Sequence, residues 1–259
     1  MAESLIRIVR EAAVATVTVD RPSKLNSLTP SMLDELERAA RELDADSAVR
    51  VVILTGGGDK AFCVGADINE WASLQPLDMW RRWVRRGHQV FDQWARLRQP
   101  VITAINGHAF GGGLELAITG DIRIAARQAT FALPEASIAT CPGWSGTQRL
   151  VRLIGASHAK YLALTGMRLE ASDAQANGLV HEVVDAGELA DRARALADEM
   201  TKKAPISLQL TKQLINAAVG EDAAATLEAM AGALAATTDD AAEGIRSFRE
   251  KRTAAFVGH

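Results

Sequence analysis

Hydrophobic and polar positions follow two alternating periods along the first two thirds of the chain. Residues Val14–Val19 alternate valine with threonine, which is typical of a half-buried strand. Residues 50–55, Val101–Ile105 and 121–125 are short apolar runs bounded by turn residues, and they predict buried strands. The chain therefore begins as a series of strands separated by longer segments.

Helical periodicity occupies those longer segments. Thr29 and Pro30 predict an N-cap and a first-turn proline for a helix over residues 32–43. A second helix is predicted before Pro100, which ends it. Large apolar residues recur on one face of this helix: Trp80, Trp83, Val84, Phe91, Trp94 and Leu97. Alternating strands and helices indicate an α/β fold with a mostly parallel sheet and helical crossovers.

The composition changes after about residue 185. Strand signals end, and Ala, Leu, Glu and Lys dominate residues 188–248, with breaks at Ala204-Pro205 and near Gly220. This pattern predicts three or four helices, which either cover the core or pack against another subunit. We expect a core over residues 1–195 and a C-terminal helical region over residues 196–259.

Charge and composition narrow the classes of function. A net charge of −3 argues against general binding to nucleic acid, which normally needs a basic excess. No apolar run reaches the length of a membrane span, so we expect no membrane association and a cytoplasmic or similarly reducing location. We expect Cys63 and Cys141 to be buried free thiols, because neither belongs to a C-x-x-C pair.

Three consecutive glycines mark the strongest candidate site. Residues 106–117 follow a predicted strand and open a helix, with Gly111, Gly112 and Gly113 at the junction. Backbone NH groups at such a helix start lack partners and favour negative charge. The spacing does not fit a P-loop or a dinucleotide-binding turn. Alternatively, the glycines serve only close helix packing.

A second loop follows another strand and offers further NH groups. Residues 60–68 place the small residue Ala66 just after such a strand. Two such loops at the ends of neighbouring parallel strands could direct two NH groups at one oxygen. That oxyanion hole would be worth ~3 to 4 kcal/mol of barrier per donor.

Two glutamates lie in apolar sequence. Glu115 is flanked by Leu114 and Leu116, and Glu135 follows Leu133-Pro134. Carboxylates in such surroundings are either paired or functional, because burying an isolated charge is costly. Considered singly, either glutamate could instead be exposed or salt-bridged.

Together these segments closely resemble the crotonase family of enoyl-CoA hydratases and isomerases, and the match runs nearly end to end. It covers residues 20–28, 65–68, 107–117, 134–135, 142–150, 164–166, 174–180 and 243–245, with Phe248, Lys251, Arg252 and Phe256. The resemblance implies a crotonase-like spiral of ββα units with a C-terminal helical region that forms a homotrimer or homohexamer.

The resemblance also implies roles for individual residues. The amides of Ala66 and Gly112 would form the oxyanion hole of an acyl-CoA thioester. Glu115 would activate water for attack at C3, and Glu135 would deliver a proton to C2. Coenzyme A is then part of the substrate, and no metal or redox cofactor is required. Further substrate contacts are expected from Lys24, Leu25, Asp67, Ile68, Gly111, Gly143, Trp144, Phe248 and Lys251.

Because both glutamates are present, we favour hydration of a 2-enoyl-CoA. The alternatives are isomerisation, dehydration of a hydroxyacyl-CoA or retro-aldol cleavage. An RNA-binding homologue is a further alternative, since residues 81–86 carry four arginines beside Trp80 and Trp83. Trp144 departs from the small residues of many hydratases, so we expect it to shorten the acyl pocket or to favour a flat, aromatic or cyclic acyl group. Alternatively, it turns outward as packing.

Overall fold

Ten strands form two sheets in the computed structural model, which describes residues 4–72 and 74–259. They are β1 (Ile6–Glu11), β2 (Val14–Val19), β3 (Val51–Gly56), β4 (Ala61–Cys63), β5 (Val101–Ile105), β6 (His108–Phe110), β7 (Ile122–Ala126), β8 (Thr130–Ala132), β9 (Leu169–Glu170) and β10 (Glu182–Val184). The larger sheet has the order β1-β2-β3-β5-β7-β10 and is parallel except for the β1–β2 pair. The smaller sheet, β4-β6-β8-β9, is parallel except for the β8–β9 pair.

Helices follow most of the strands. They are α1 (Pro30–Ala45), α2 (Ile68–Trp71), α3 (Pro76–Asp78), α4 (Arg85–Ala95), α5 (Gly112–Ala117), α6 (Gly146–Thr165), α7 (Ala171–Ala176), α8 (Leu189–Thr201), α9 (Pro205–Ala218), α10 (Ala223–Ala235) and α11 (Asp239–Glu250). A π-helical segment, Met79–Val84, joins α3 to α4. Within the described residues, no helix combines the length and the apolar composition needed to cross a membrane.

The central strands of the larger sheet are buried on both faces, as expected for parallel strands. Its alternate side chains, including Val52 and Leu54 of β3, enter the main core that also holds apolar residues of α1 and α4. The opposite side chains, including Ile53, pack against Ala193 and Ala197 of α8. The central strands β3 and β5 are therefore nearly continuous apolar runs rather than alternating ones.

The chain divides into two compact units, the first ending at Gln209 and the second being Leu210–His259. The predicted division between residues 195 and 196 falls inside α8, whose Ala197 belongs to the core against the larger sheet. The first unit therefore includes the whole of α8. The second unit holds most of α9 together with α10 and α11.

The predicted helix before Pro100 differs from the observed one in one respect. Trp83, Phe91, Trp94 and Leu97 are buried as expected, but Trp80 is 61% exposed. The π-helical segment is the reason, because its wider turn rotates Trp80 away from the face that the α-helical period assigns to it.

Candidate active site

Three loops of the smaller sheet enclose a cavity of about 230 Å³. Each loop follows a strand: Ala66 lies after β4, Gly112 after β6, and Glu135 after β8. These strands are parallel neighbours, so their carboxyl ends meet at one edge of the sheet. The topology thus brings together segments that are about seventy residues apart in sequence, counted from Ala66 to Glu135.

The backbone around Ala66 is held by an isolated bridge to Leu28. Leu28 N donates to Gly65 O at 2.8 Å, and Asp67 N donates to Leu28 O at 2.8 Å. In this pattern the residue between the two bonded ones, Ala66, directs its own NH away from the bridge. The amide of Ala66 is therefore placed on the side of the loop that lines the cavity.

Gly112 is the first residue of α5, so its NH has no partner within the helix. A methyl group at Gly112 would lie 3.5 Å from Gly65 Cα, which shows that the two loops are in contact. Gly111 has φ 50° and ψ −126°, a conformation that only glycine adopts readily. A methyl group at Gly111 would also approach Glu135 Oε1 to 2.9 Å.

Glu115 lies on α5, is 2% exposed, and is held by the loop that precedes α6. Its Oε1 accepts hydrogen bonds from Trp144 N at 2.8 Å and from Gly146 N at 2.7 Å. Burial raises the pKa of this carboxyl, while the NH groups of Gly146, Trp144 and Gly143 act in the opposite direction. These bonds fix the side chain and support its ionised form.

Glu135 begins a 3₁₀ turn, Glu135–Ile138, and is 9% exposed. Its Oε2 is buried and has no hydrogen-bond partner among the described residues. Burial, together with the nearby charge of Glu115, raises the pKa of Glu135 to about 7. One cavity therefore holds two carboxyls in different surroundings, which is the arrangement that general acid and general base require.

Trp144 points inward, which excludes the alternative of an outward packing residue. The indole is 4% exposed, lines the cavity, and contacts the rings of Trp83 and Phe91 at centroid distances of 5.3 and 5.2 Å. Gly143 also lines the cavity, where a methyl group would lie 3.1 Å from Val84 Cγ1.

A polar cluster behind this loop was not predicted from the sequence. Ser145 Oγ lies 2.9 Å from His88 Nδ1 and donates to Asp92 Oδ1 at 3.2 Å, and Arg149 pairs with the same Asp92 oxygen at 2.7 Å. The signal that could have revealed it is the spacing of His88 and Asp92, one helical turn apart on α4 and facing α6.

The remaining predicted contacts lie in several places. Ile68 lines the cavity. Asp67 is buried, caps α2 through Asn69 N, and pairs with Arg21 at 2.8 Å, so its carboxylate is already engaged. Leu25 lines a separate recess between residues 22–26 and 57–61, and Lys24 is exposed beside it.

Phe248 and Lys251 belong to the second unit. Phe248 lies on α11 and is 85% exposed, and Lys251 is the C-cap of that helix. Their contact with a substrate stays a prediction.

The two cysteines differ in their exposure to solvent. Cys63 is buried, and burial raises the pKa of its thiol to about 12. Cys141 is exposed on the rim of the cavity, so the expectation that both thiols are buried is wrong for Cys141.

Comparison with known proteins agrees with the geometry. The family described as enoyl-CoA hydratase/isomerase matches residues 9–259. The chain is 40% identical over 245 residues to a short-chain-enoyl-CoA hydratase of Clostridium acetobutylicum, covering 94% of each chain. It is 38% identical over 259 residues to a crotonyl-CoA hydratase of Syntrophomonas wolfei, covering 99% of each. A solved enoyl-CoA hydratase of Bacillus anthracis superposes with a TM-score of 0.82 at 37% identity, covering 99% of this chain and 100% of the other.

Proposed function

This chain belongs to the enoyl-CoA hydratase/isomerase family, and from that premise we propose that it is an enoyl-CoA hydratase, which adds water in syn geometry to a 2-enoyl-CoA and gives a 3-hydroxyacyl-CoA. The observation that carries the proposal is the presence of two buried glutamates, Glu115 and Glu135, on the wall of one cavity. Hydration removes a proton from water and adds one to carbon, so it uses two positioned carboxyls. The enzyme is thus a hydro-lyase.

The amides of Ala66 and Gly112 bind the thioester oxygen. Attack of water at C3 moves electrons onto that oxygen and gives an enolate, whose negative charge two NH donors stabilise. The closely packed loops at Gly65 and Gly112 support this role, since contact between them fixes the spacing of the donors. Backbone donors also need no rearrangement when the charge develops.

Two proton transfers complete the reaction. As the water oxygen bonds to C3, Glu115 takes one water proton on its carboxylate. The enolate then collapses, C2 takes the proton of the Glu135 carboxylic acid, and the C=O bond of the thioester re-forms. The acid–base pair exchanges protons with solvent before the next turnover, so the net change is the addition of one water molecule.

The two surroundings support this division of roles. NH groups on Glu115 Oε1 favour the ionised form that a base needs. The unpaired Oε2 of Glu135 and its raised pKa of about 7 favour the protonated form that an acid needs near neutral pH. A chain built only for isomerisation would need a single carboxyl that moves one proton between two carbons.

Substrate binding extends beyond the cavity in this proposal. The coenzyme A part lies along Lys24, Leu25, Asp67 and Ile68, near Ala66. Phe248 and Lys251 approach it from a C-terminal helical region, in a homotrimer or homohexamer. Coenzyme A is part of the substrate and no separate cofactor takes part. The cytoplasm is the expected location, and fatty acid β-oxidation is the expected setting.

The decisive experiment follows the loss of absorbance of the conjugated enoyl thioester. Glu115→Gln and Glu135→Gln are each expected to lower kcat by ~10² or more, because each removes a group that transfers a proton. Glu170→Gln, at an exposed strand position, is the matched control and should keep full activity. A fully active Glu115→Gln protein would favour isomerisation instead, and an intact wild-type protein without activity on any enoyl-CoA would refute the proposal.

A further inference from the structure

The indole of Trp144 occupies the inner wall of the cavity. It stands beside Gly112, the proposed donor to the thioester oxygen, and its own backbone NH holds Glu115. The side chain is therefore next to the space where C2 and C3 of an acyl group would lie. Any acyl carbons beyond C3 have to pass this ring.

Two glycines make room for the ring. A methyl group at Gly87 of α4 would lie 2.1 Å from Trp144 Nε1, and one at Gly112 would lie 2.6 Å from Cε3. Both distances are shorter than any van der Waals contact, so neither position accepts a larger residue while the indole stays in place. Trp83 and Phe91 pack against the same ring.

The backbone after the ring is anchored to α4. Ser145 adopts φ 78°, a left-handed conformation that residues other than glycine rarely adopt. Its hydroxyl contacts His88 and Asp92, and these bonds hold the strained residue in place. Trp144 is thus fixed by its ring contacts and by the residue that follows it.

The remaining space is small. The cavity measures about 230 Å³, below the range of roughly 300 to 1,000 Å³ of most ligand pockets, and it must also hold the thioester. Large apolar side chains line other parts of the cavity, among them Trp71, Met79 and Ile138. A short acyl group fits beside them and Trp144 more readily than a long one.

We propose that Trp144 is the residue that determines acyl length, and that it restricts the enzyme to 2-enoyl-CoA thioesters with short acyl groups. This inference rests on the proposed hydratase function. It adds the substrate class, which the two glutamates alone do not define.

The test compares kcat/KM for crotonyl-CoA, 2-hexenoyl-CoA and 2-decenoyl-CoA. Wild type should prefer crotonyl-CoA over 2-decenoyl-CoA by ~100-fold or more, since one misplaced methylene in a pocket already costs about 10- to 200-fold. Trp144→Ala should raise the 2-decenoyl to crotonyl ratio by ~10-fold or more, and Trp144→Phe should raise it by less.

Trp80→Ala is the matched control, because it also removes a tryptophan but from an exposed position outside the cavity lining. Its length preference should equal that of wild type. Thermal unfolding of each variant shows whether it is folded, and Trp144→Phe carries the comparison if Trp144→Ala does not fold.

Calorimetric binding of butyryl-CoA and decanoyl-CoA to wild type separates this inference from the proposed function. Tighter binding of butyryl-CoA supports the length limit even if no enoyl-CoA is hydrated. Equal kcat/KM values across the three enoyl thioesters, or an unchanged ratio in both Trp144 variants, would overturn the role of Trp144 while leaving hydration intact.

Discussion

The two glutamates of the cavity are the same residue type in unlike surroundings. Glu115 receives backbone NH bonds on Oε1, whereas Glu135 keeps an oxygen without a partner among the described residues. Hydrogen bonds to a carboxylate favour its charged form, and burial without them favours the neutral form. The proposed acid and base roles therefore arise from the loops around the residues, in particular from residues 143–146.

A pH dependence follows from the raised pKa of Glu135. Protonated Glu135 is the proposed donor to C2, so hydration kcat/KM should fall as pH rises through about 7. At lower pH it should fall again as Glu115 is protonated, because the base is then lost. The high-pH and low-pH limbs of the resulting rate profile reflect the interacting pair of glutamates rather than either residue alone.

The measurement is an initial-rate profile over roughly pH 5 to pH 9. The residual activity of Glu135→Gln should lack the limb near pH 7, and Glu170→Gln should retain it. A wild-type profile that stays level up to the highest pH would show that Glu135 is not the acid.

At the residue scale, the sequence pointed to residues that line the cavity but not to the orientation of every side chain. Apolar neighbours of Glu115 and Glu135 favoured a paired or functional carboxyl but left an exposed position open for each, and both glutamates are buried. The sequence left the orientation of the Trp144 side chain open. The inward position is possible only because Gly87, more than fifty residues earlier, has no side chain where the indole lies. The pairing of Ser145 with α4 likewise arises from tertiary packing.

At the scale of elements, the loop that carries Ala66 is built from contacts with residues 20–28. Asn26 donates to Gly57 O and Ala61 O, and its Oδ1 accepts from Arg21 N. Arg21 in turn pairs with Asp67, and this interaction lowers the pKa of Asp67. An early segment of the chain thereby fixes one half of the proposed oxyanion hole.

Replacing Asp67 should disturb both stability and activity. Asp67→Ala removes the cap of α2 and leaves Arg21 unpaired, which should lower the free energy of unfolding by about 2 to 4 kcal/mol. Urea unfolding measures this change, and the hydration assay should show a lower kcat/KM as the amide of Ala66 loses its position.

Two further variants serve as controls for Asp67→Ala. Asp67→Asn keeps an oxygen for the cap and should lose less stability than Asp67→Ala. Glu70→Ala, an exposed residue of the same helix, should change stability by less than about 0.5 kcal/mol. If Asp67→Ala had the stability and kcat/KM of wild type, other contacts would be holding the loop.

Strand length largely decided which buried strands the sequence could predict, whereas the six-residue β1, which is mostly exposed, was not predicted. The long β-branched runs of β2, β3, β5 and β7 were located within one residue, and Thr29 caps α1 as expected. The strands β4, β6 and β8 have three residues each, too few for a periodic signal. They form because parallel neighbours from distant segments supply their hydrogen bonds, and they position the loops that carry Ala66, Gly112 and Glu135.

At the scale of the whole molecule, one helix lacks the burial that its composition requires. Of the thirteen residues of α10, only Thr226 and Glu228 are polar, and none is buried in a single chain. Leu227 and Leu234 are 67% and 71% exposed. A helix that is apolar all round is normally covered by protein.

We expect other copies of the chain to cover α10, in the predicted homotrimer or homohexamer. Light scattering coupled to gel filtration should then give three or six times the mass of one chain. Replacing Leu227 and Leu234 together with glutamate would place two charges in the covered surface, so the mass should fall towards that of one chain. Glu228→Gln on the same helix should leave the mass unchanged.

If wild type had the mass of one chain at micromolar concentration, the expected assembly would be wrong. Phe248 and Lys251 could then not reach a substrate from a neighbouring subunit.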